Sequence, residues 1–114
     1  MPACLFCQIA EGNIDADVVR IGELTLAFRD IRPQAPVHVL IIPKEHLASV
    51  ADLTHEHGDL LVETAEMAKW IAASEGIAES GYRIVTNTGP DGGQTVDHLH
   101  FHLLGGRQMT WPPG

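Results

Sequence analysis

The stretch His98-Leu99-His100-Phe101-His102-Leu103-Leu104 alternates three histidines with large apolar residues. Successive side chains of a β-strand point to opposite faces, so the three imidazoles share one face and Leu99, Phe101 and Leu103 share the other. The pattern predicts a strand with one face in the core and the other available for chemistry. Neighbouring imidazoles, with reference pKa values near ~6.5, disfavour one another's protonation unless an anion lies among them. The row therefore suits a phosphate or a metal ion.

Length and charge restrict the classes of protein to which the chain can belong. Its 114 residues are enough for one core, so we expect a single domain over residues 1–114. Seven Lys and Arg against fifteen Asp and Glu give a net charge of −8, which argues against nonspecific binding to nucleic acid or to an anionic membrane. We see neither a signal peptide nor the ~20 apolar residues of a membrane span, and we expect a cytoplasmic protein.

The periodicity of the remaining segments predicts an α+β fold. We expect strands at 17–21, 25–29, 37–42, 82–87 and 96–104. Gly22-Glu23 is expected to turn the first hairpin. One long helix is expected over 54–75, with Thr54 as its N-cap and Gly76 as its stop, and a short helix over 4–10. The long helix is expected to place Glu63 on its solvated face and to turn an apolar stripe inward, namely Leu60, Leu61, Thr64, Ala65, Ala68, Ile71 and Ala72. Together they predict an antiparallel five-stranded sheet with one long helix and a short N-terminal helix.

These motifs resemble those of the histidine triad (HIT) superfamily, whose signature is His-x-His-x-His followed by two apolar residues. The resemblance extends over nearly the whole chain. It is carried by Phe28-x-Asp30-Ile31-x-Pro33-Gln34-Ala35-Pro36-x-His38, Ile42-Pro43-Lys44-x-His46, Gly92-Gly93-Gln94, Gly105-Gly106-Arg107-Gln108-Met109 and the ending Trp111-Pro112-Pro113-Gly114. That ending is similar to the nucleotide-binding Hint branch and distinguishes it from the dinucleoside polyphosphate hydrolase and galactose-1-phosphate uridylyltransferase branches.

The resemblance implies a homodimer that hydrolyses purine nucleoside 5′-phosphoramidates of the AMP-amine type at the P–N bond. His100 would be the nucleophile and form a nucleotidyl-histidine intermediate, which needs no metal. His102 would contact the α-phosphate and protonate the departing nitrogen. The counterpart of His38 orients the nucleophile in the family, and His98 would complete the catalytic row as structural support.

The resemblance also implies a set of substrate contacts. Asp30 would bond the ribose hydroxyls, and an apolar wall would grip the base; its members are Leu5, Phe6, Ile9, Phe28 and Ile31. Phosphoryl transfer needs preorganised donors for the equatorial oxygens, and the candidates are Asn87, the Gly93 backbone and the Thr95 hydroxyl. The C-terminal tail, 105–114, is expected to reach the dimer partner and to place Trp111 at the partner's site.

Cys4 and Cys7 have the spacing of half a zinc site, although a redox pair or inert thiols are alternatives. The resemblance to some bacterial HIT proteins implies that His46 and His98 complete a structural Cys₂His₂ zinc site. Such a site has four protein ligands and leaves no open position for catalysis.

Three other functions compete with the phosphoramidase. The chain could hydrolyse dinucleoside polyphosphates or other nucleotidyl substrates of the same superfamily. The His-x-His spacing could instead form a catalytic metal centre. A nucleotide-sensing binding module with vestigial catalysis is the third possibility.

Overall fold

The computed structural model describes residues 4–114, which form one five-stranded antiparallel sheet with helices on both faces. The strands are β1 (Val18–Ile21), β2 (Thr25–Arg29), β3 (Val37–Pro43), β4 (Tyr82–Val85) and β5 (Phe101–Gly105), in the spatial order β1-β2-β3-β5-β4. The helices are α1 (Leu5–Ala10), α2 (Gly58–Ser74) and α3 (Gly89–Gly92), with 3₁₀ turns at Val50–Asp52 and His55–His57. The predicted fold class is confirmed.

The central strand β3 is buried along its whole length, because each face of the sheet is covered. On one face, its residues Val39 and Ile41 pack with Leu103 against the apolar stripe of α2. On the other face, Leu40 and Ile42 pack with β2 against Phe6 and Ile9 of α1 and form a second core. Strand β3 also carries His38 on this second face. The side chain of His38 therefore lies on the same side of the sheet as α1.

Helix α2 begins four residues later than predicted and buries a partly different stripe. Thr54 caps the 3₁₀ turn at His55–His57, and α2 follows from Gly58; Gly76 ends the helix region with a φ of 77°. Its buried residues are Leu60, Thr64, Met67, Ala68, Ile71 and Ala72. We expected Leu61 and Ala65 in place of Met67, but the three- and four-residue spacing from Leu60 selects Thr64 and Met67, and Leu61 stays 41% exposed.

A carboxylate of α2 fastens the β1–β2 hairpin. Glu63, interpreted from the sequence as solvated, accepts hydrogen bonds from the Leu24 backbone N–H at 2.9 Å and from the fully buried Thr25 hydroxyl. These bonds and the desolvation that opposes them leave the pKa of Glu63 below its usual range. A Cβ at Gly22 would lie 2.5 Å from a Glu63 oxygen, so any larger residue there would displace this carboxylate.

The histidine strand is shorter than predicted. Pairing with β3 begins at Phe101, opposite Ile41, so His98 and His100 precede the strand rather than lie within it. The reason is a change of partner: the Leu99 N–H donates to the Leu47 carbonyl at 2.6 Å and not to β3. The alternation of side chains nevertheless persists, since Leu99 and Leu103 are both fully buried among the apolar residues of the α2 side.

Strand β4 likewise ends at Val85, two residues before the predicted Asn87, and the glycine-rich loop after it contains α3. Among residues 4–114, no helix combines the length and the apolar character needed to cross a membrane.

Candidate active site and metal cluster

A cavity of about 470 Å³ lies between α1, the end of β2 and the histidine row. Its volume falls in the range of small-molecule sites, roughly 300–1,000 Å³. Nine of the predicted site residues line it: Leu5, Phe6, Ile9, Phe28, Asp30, Ile31, Thr95, His100 and His102. The sequence analysis missed other lining residues, namely Ile14, Asp15, Ala16, Asp17, Arg29, Leu40 and Val96. Most of these belong to the connection between α1 and β1, which has no regular pattern.

Three predicted substrate contacts are not among the residues that line this cavity. Asn87 is half-buried beyond the end of β4, and Gly93 is exposed after α3, with a φ of 85°. Trp111 is 82% exposed in the single chain. The tail that carries it is tied to β4, because Arg83 donates to the Thr110 carbonyl at 3.0 Å.

His100 is held with one ring nitrogen engaged and the other free. Its Nδ1 lies 2.7 Å from the His98 carbonyl oxygen, which can only accept, so Nδ1 carries the proton and Nε2 carries a lone pair. The Phe6 ring packs edge-on against the imidazole at 5.1 Å. The Thr86 hydroxyl donates to the His100 carbonyl at 2.8 Å and fixes the backbone on the other side. In its neutral form, the ring therefore presents the Nε2 lone pair next to the cavity.

His102 has the opposite tautomer, because a chain of hydrogen bonds determines it. The Gln34 backbone N–H donates to His38 Nδ1 at 3.0 Å, which leaves the proton of the neutral His38 ring on Nε2. That Nε2 lies 2.9 Å from His102 Nδ1, which must therefore accept. The proton of His102 is on Nε2. The rings of His100 and His102, with centroids 5.1 Å apart, thus offer a lone pair on His100 and an N–H on His102.

Burial keeps the rings of His38 and His102 uncharged. Desolvation, with smaller contributions from His100 and His38, lowers the pKa of His102 to about 4. Desolvation also lowers the pKa of His38, and the Asp30 carboxylate opposes that shift in part. An Asp30 oxygen lies 3.5 Å from His38 Nε2, while the other oxygen of Asp30 accepts the Arg32 N–H at 2.7 Å. Both rings are therefore neutral near pH 7.

The resemblance implies that His38 orients the nucleophile, and in the structure its ring lies beside that of His102. Its ring contacts His102, and the described partner of His100 Nδ1 is the His98 carbonyl. The three triad rings also do not converge on one point, since the ring nitrogens of His98 face two sulfurs and the Pro43 carbonyl. Asp30, His38 and His102 do form a compact group of possible ligands, but the His38 Nε2 proton already occupies the space between the two rings.

Four side chains assemble a compact set of metal donors beside this site. The donor atoms of Cys4, Cys7, His46 and His98 all lie within 4.8 Å of one another. The Cys4 sulfur lies 3.3 Å from His98 Nδ1, the Cys7 sulfur 3.3 Å from His46 Nδ1, and the two Nδ1 atoms 3.2 Å apart. A tetrahedron with Zn–S near 2.3 Å and Zn–N near 2.0–2.1 Å has edges of about 3.3–3.8 Å between such donors. The geometry fits zinc.

The tautomer of His98 also fits a metal. Its Nε2 lies 3.0 Å from the Pro43 carbonyl, so Nε2 carries the proton and Nδ1 directs a lone pair at the cysteines. Desolvation, and then Cys4, raises the pKa of the Cys7 thiol to about 11, so only a cation would make the thiolate form favourable here. Cys4 has a second task, because its sulfur caps α1 by accepting the Cys7 N–H at 3.4 Å.

One further residue organises the site without lining the cavity. The Gln94 amide donates to the Ala48 carbonyl at 2.7 Å and to the Val96 carbonyl at 3.0 Å, and its oxygen accepts the Gly89 N–H. It thereby ties the segment that carries Thr95 to the loop after β3. The Gly-Gly-Gln motif is visible in the sequence, but the Ala48 carbonyl lies 46 residues away along the chain, so this partner could not be predicted from the motif.

Comparison with known proteins gives consistent results. A family model described as HIT domain matches residues 11–109. A purine nucleoside phosphoramidase of Escherichia coli K12 is 48% identical over 105 residues, which cover 92% of this chain and 88% of that protein. A 14 kDa zinc-binding protein of Zea mays is 50% identical over 112 residues, with coverage of 96% and 87%. The crystal structure of a HIT family hydrolase from Legionella pneumophila Philadelphia 1, 56% identical, matches with a TM-score of 0.95 over 98% of this chain and 100% of that one.

Proposed function

The chain belongs to the HIT domain family, and on that premise we propose that it hydrolyses purine nucleoside 5′-phosphoramidates at the P–N bond through a nucleotidyl-histidine intermediate. One observation carries the proposal. At the end of a cavity of nucleotide size, His100 offers a lone pair while His102, 5.1 Å away between ring centroids, offers an N–H. The relative named purine nucleoside phosphoramidase supports the choice of substrate class.

In the first step, Nε2 of His100 attacks the α-phosphorus and the P–N bond breaks. The His100 ring becomes an imidazolium, and its Nδ1–H continues to donate to the His98 carbonyl, 2.7 Å away. The departing nitrogen takes up one proton from solvent as the bond breaks and leaves as a neutral amine, while the Nε2–H of His102 donates a hydrogen bond to that nitrogen and assists its departure. His102 stays a neutral ring, because loss of its only proton would leave an imidazolate.

In the second step, water attacks the phosphorus of the intermediate and releases a proton to solvent, which balances the proton taken up in the first step. The bond between phosphorus and His100 breaks, and the imidazole leaves as a neutral ring with its lone pair restored. The products are a nucleoside monophosphate and an amine. Both histidines return to their starting tautomers, because the carbonyl of His98 and the ring of His38 still determine them.

We propose that the base lies on the apolar wall formed by Leu5, Phe6, Ile9, Phe28 and Ile31, all of which line the cavity. Asp30 is then at the right end of β2 to bond the ribose hydroxyls, and the Thr95 hydroxyl is available for a phosphate oxygen. Asn87 and Gly93 remain proposed phosphate donors that would have to approach from outside the cavity lining. His98 takes part only through its carbonyl and as a metal ligand.

We propose that Cys4, Cys7, His46 and His98 hold a structural zinc ion, which supplies a crosslink between α1, the loop after β3 and the triad segment. Its four protein donors would close the coordination shell, so the reaction does not use it as a Lewis acid. The relative named as a zinc-binding protein supports this assignment. The thiols would need a reducing compartment, in keeping with a cytoplasmic location.

We further propose that the protein acts as a homodimer in which residues 105–114 of one chain bring Trp111 to the partner's cavity. The support is the 82% exposure of this large ring in the single chain. A purine nucleotide or nucleoside phosphoramidate is the proposed small-molecule partner, with neither nucleic acid nor a membrane among the partners.

The competing functions predict different kinetics. Replacing His100 by glycine should abolish turnover of adenosine 5′-phosphoramidate without unfolding the protein. Full turnover by His100→Gly would contradict the covalent mechanism and favour a metal centre. Tight AMP binding by the wild type without turnover of any phosphoramidate would favour a sensing module, and faster cleavage of diadenosine polyphosphates would favour the other hydrolase branch.

A further inference from the structure

His98 connects the metal cluster to the nucleophile by a single peptide unit. Its ring is held at both nitrogens, by Pro43 at Nε2 and by the two cysteine sulfurs near Nδ1. Its carbonyl accepts the Nδ1 proton of His100 at 2.7 Å. The orientation of the His98 side chain and that of its carbonyl are therefore coupled through one Cα. Whatever fixes the His98 ring also fixes the group that sets the tautomer of His100.

The cysteines make a second connection, through α1. Cys4 and Cys7 bracket Phe6, whose ring packs edge-on against His98 at 5.9 Å, against His100 at 5.1 Å and against Phe28 at 5.5 Å. Helix α1 has only six residues, too few to be stable by its own hydrogen bonds. Its anchorage to the rest of the chain therefore depends on the packing of its apolar face and on the contacts of the two sulfurs.

We propose that the Cys4–Cys7–His46–His98 cluster is a positioning centre for the nucleophile and the base wall, so that metal occupancy controls both intermediate formation at His100 and nucleotide affinity. This inference rests on the proposed function. With the ion bound, His98 Nδ1 has a fixed partner and the two sulfurs hold α1 on the sheet. Without it, the Nδ1 atoms of His46 and His98, 3.2 Å apart, share at most one hydrogen bond, and the exposed His46 can turn into solvent.

His46 is the most selective position for a test, because its side chain is exposed and its ring contacts Cys7 and His98 of the cluster. His46→Ala removes one ligand while leaving α1 and the triad intact. His46→Cys keeps four ligands as a Cys₃His set, which also binds structural zinc. His55→Ala, an exposed histidine of the 3₁₀ turn outside both sites, is the matched control.

Each protein is incubated with zinc in reducing buffer, desalted, and measured for zinc per chain, melting temperature, AMP affinity by calorimetry and rate of adduct formation by rapid quench. We expect one zinc per wild-type chain and none in His46→Ala. Well below its melting temperature, His46→Ala should form the adduct about tenfold or more slowly, since small displacements of a nucleophile have large effects on rate, and its AMP Kd should rise severalfold. His46→Cys should recover zinc, rate and affinity, and His55→Ala should match the wild type.

A purely structural role for zinc would lower the melting temperature of His46→Ala and leave its adduct rate and AMP affinity unchanged, which would overturn the proposal. Wild type without zinc after this treatment would overturn it as well. If His46→Ala does not fold, chelator-stripped wild type is compared with the same sample after zinc is restored. Failure of the proposed function is distinguishable, because wild type would then form no adduct, and the AMP affinities would still decide whether the cluster positions the base wall.

Discussion

Replacing His38 with phenylalanine should impair P–N cleavage selectively, because His38 acts only by setting the proton of His102. Phenylalanine fills a similar volume in a side-chain position that is 6% exposed in the native chain. The change removes the Nε2 donor 2.9 Å from His102 Nδ1 and the acceptor of the Gln34 N–H. His102 then has nothing to keep its proton on Nε2. A fraction of the molecules would present a lone pair, instead of an N–H, to the departing nitrogen.

The size of the effect follows from the two lost interactions. Leaving the buried Nδ1 of His102 without a donor costs about 1–3 kcal/mol of folding stability, which a domain stable by about 5–15 kcal/mol tolerates. General acid catalysis contributes roughly 10²–10⁴ in rate. We therefore expect kcat/KM for adenosine 5′-phosphoramidate to fall about 100-fold, or about 2.7 kcal/mol in the barrier.

The assay compares two substrates whose leaving groups differ in their need for a proton. An amine must be protonated as it leaves, whereas the p-nitrophenolate of an AMP aryl ester need not be. His38→Phe should slow the first reaction about 100-fold and the second less than about fivefold, and His55→Phe at the exposed 3₁₀ turn should change neither. Equal losses with the two substrates would refute the reasoning, since they would assign His38 a general effect on binding or on the nucleophile.

Three further predictions concern stability and binding. Glu63→Ala should lower the free energy of unfolding by about 1–3 kcal/mol in urea titrations, because it leaves the fully buried Thr25 hydroxyl unpaired. Glu66→Ala, at an exposed position of the same helix, should change it by less than about 0.5 kcal/mol, and equal effects of the two variants would contradict the role of Glu63. The pKa of His102 is lowered to about 4 from 6.5, so the unfolded chain binds more protons than the folded chain between these pH values. The free energy of unfolding should therefore fall as the pH decreases from about 6.5 to about 4. His102→Gln should reduce that slope by up to about 1.4 kcal/mol per pH unit, and an unchanged slope would contradict the assignment. Ile9→Ala should weaken AMP binding in calorimetry by about tenfold through lost apolar burial at the cavity wall, and an unchanged Kd would place the base elsewhere.

Local patterns predicted those parts of the fold that depend on near neighbours. The alternation of His100, Phe101 and His102 assigned the side chains to the correct faces, and Gly22 marked the first hairpin. The beginning of β5 could not be predicted, because it depends on the competition between β3 and the Leu47 carbonyl for the Leu99 N–H. No feature of residues 96–104 records that competition. The same holds for Glu63, whose burial depends on a hairpin 38 residues away.

The residues of the candidate site were easier to identify than their contacts. Cys4, Cys7, His46 and His98 were named together from the sequence, and their donor atoms meet within 4.8 Å. The neighbour of His38 could not be predicted, since a strand register decides it: His38 pairs with Leu104, which brings its ring beside that of His102 rather than that of His100. Residue identity thus predicted which side chains gather, and only the packing of the strands determined which imidazoles share a hydrogen bond.

Rapid quench of the protein with adenosine 5′-phosphoramidate, followed by intact-mass analysis and peptide mapping, tests the central claim most directly. The account predicts a transient adduct with the mass of one adenylyl group, located on His100, absent from His100→Gly and accumulating before steady-state turnover. An adduct on another residue, or turnover at the wild-type rate with no adduct at any time, would contradict it.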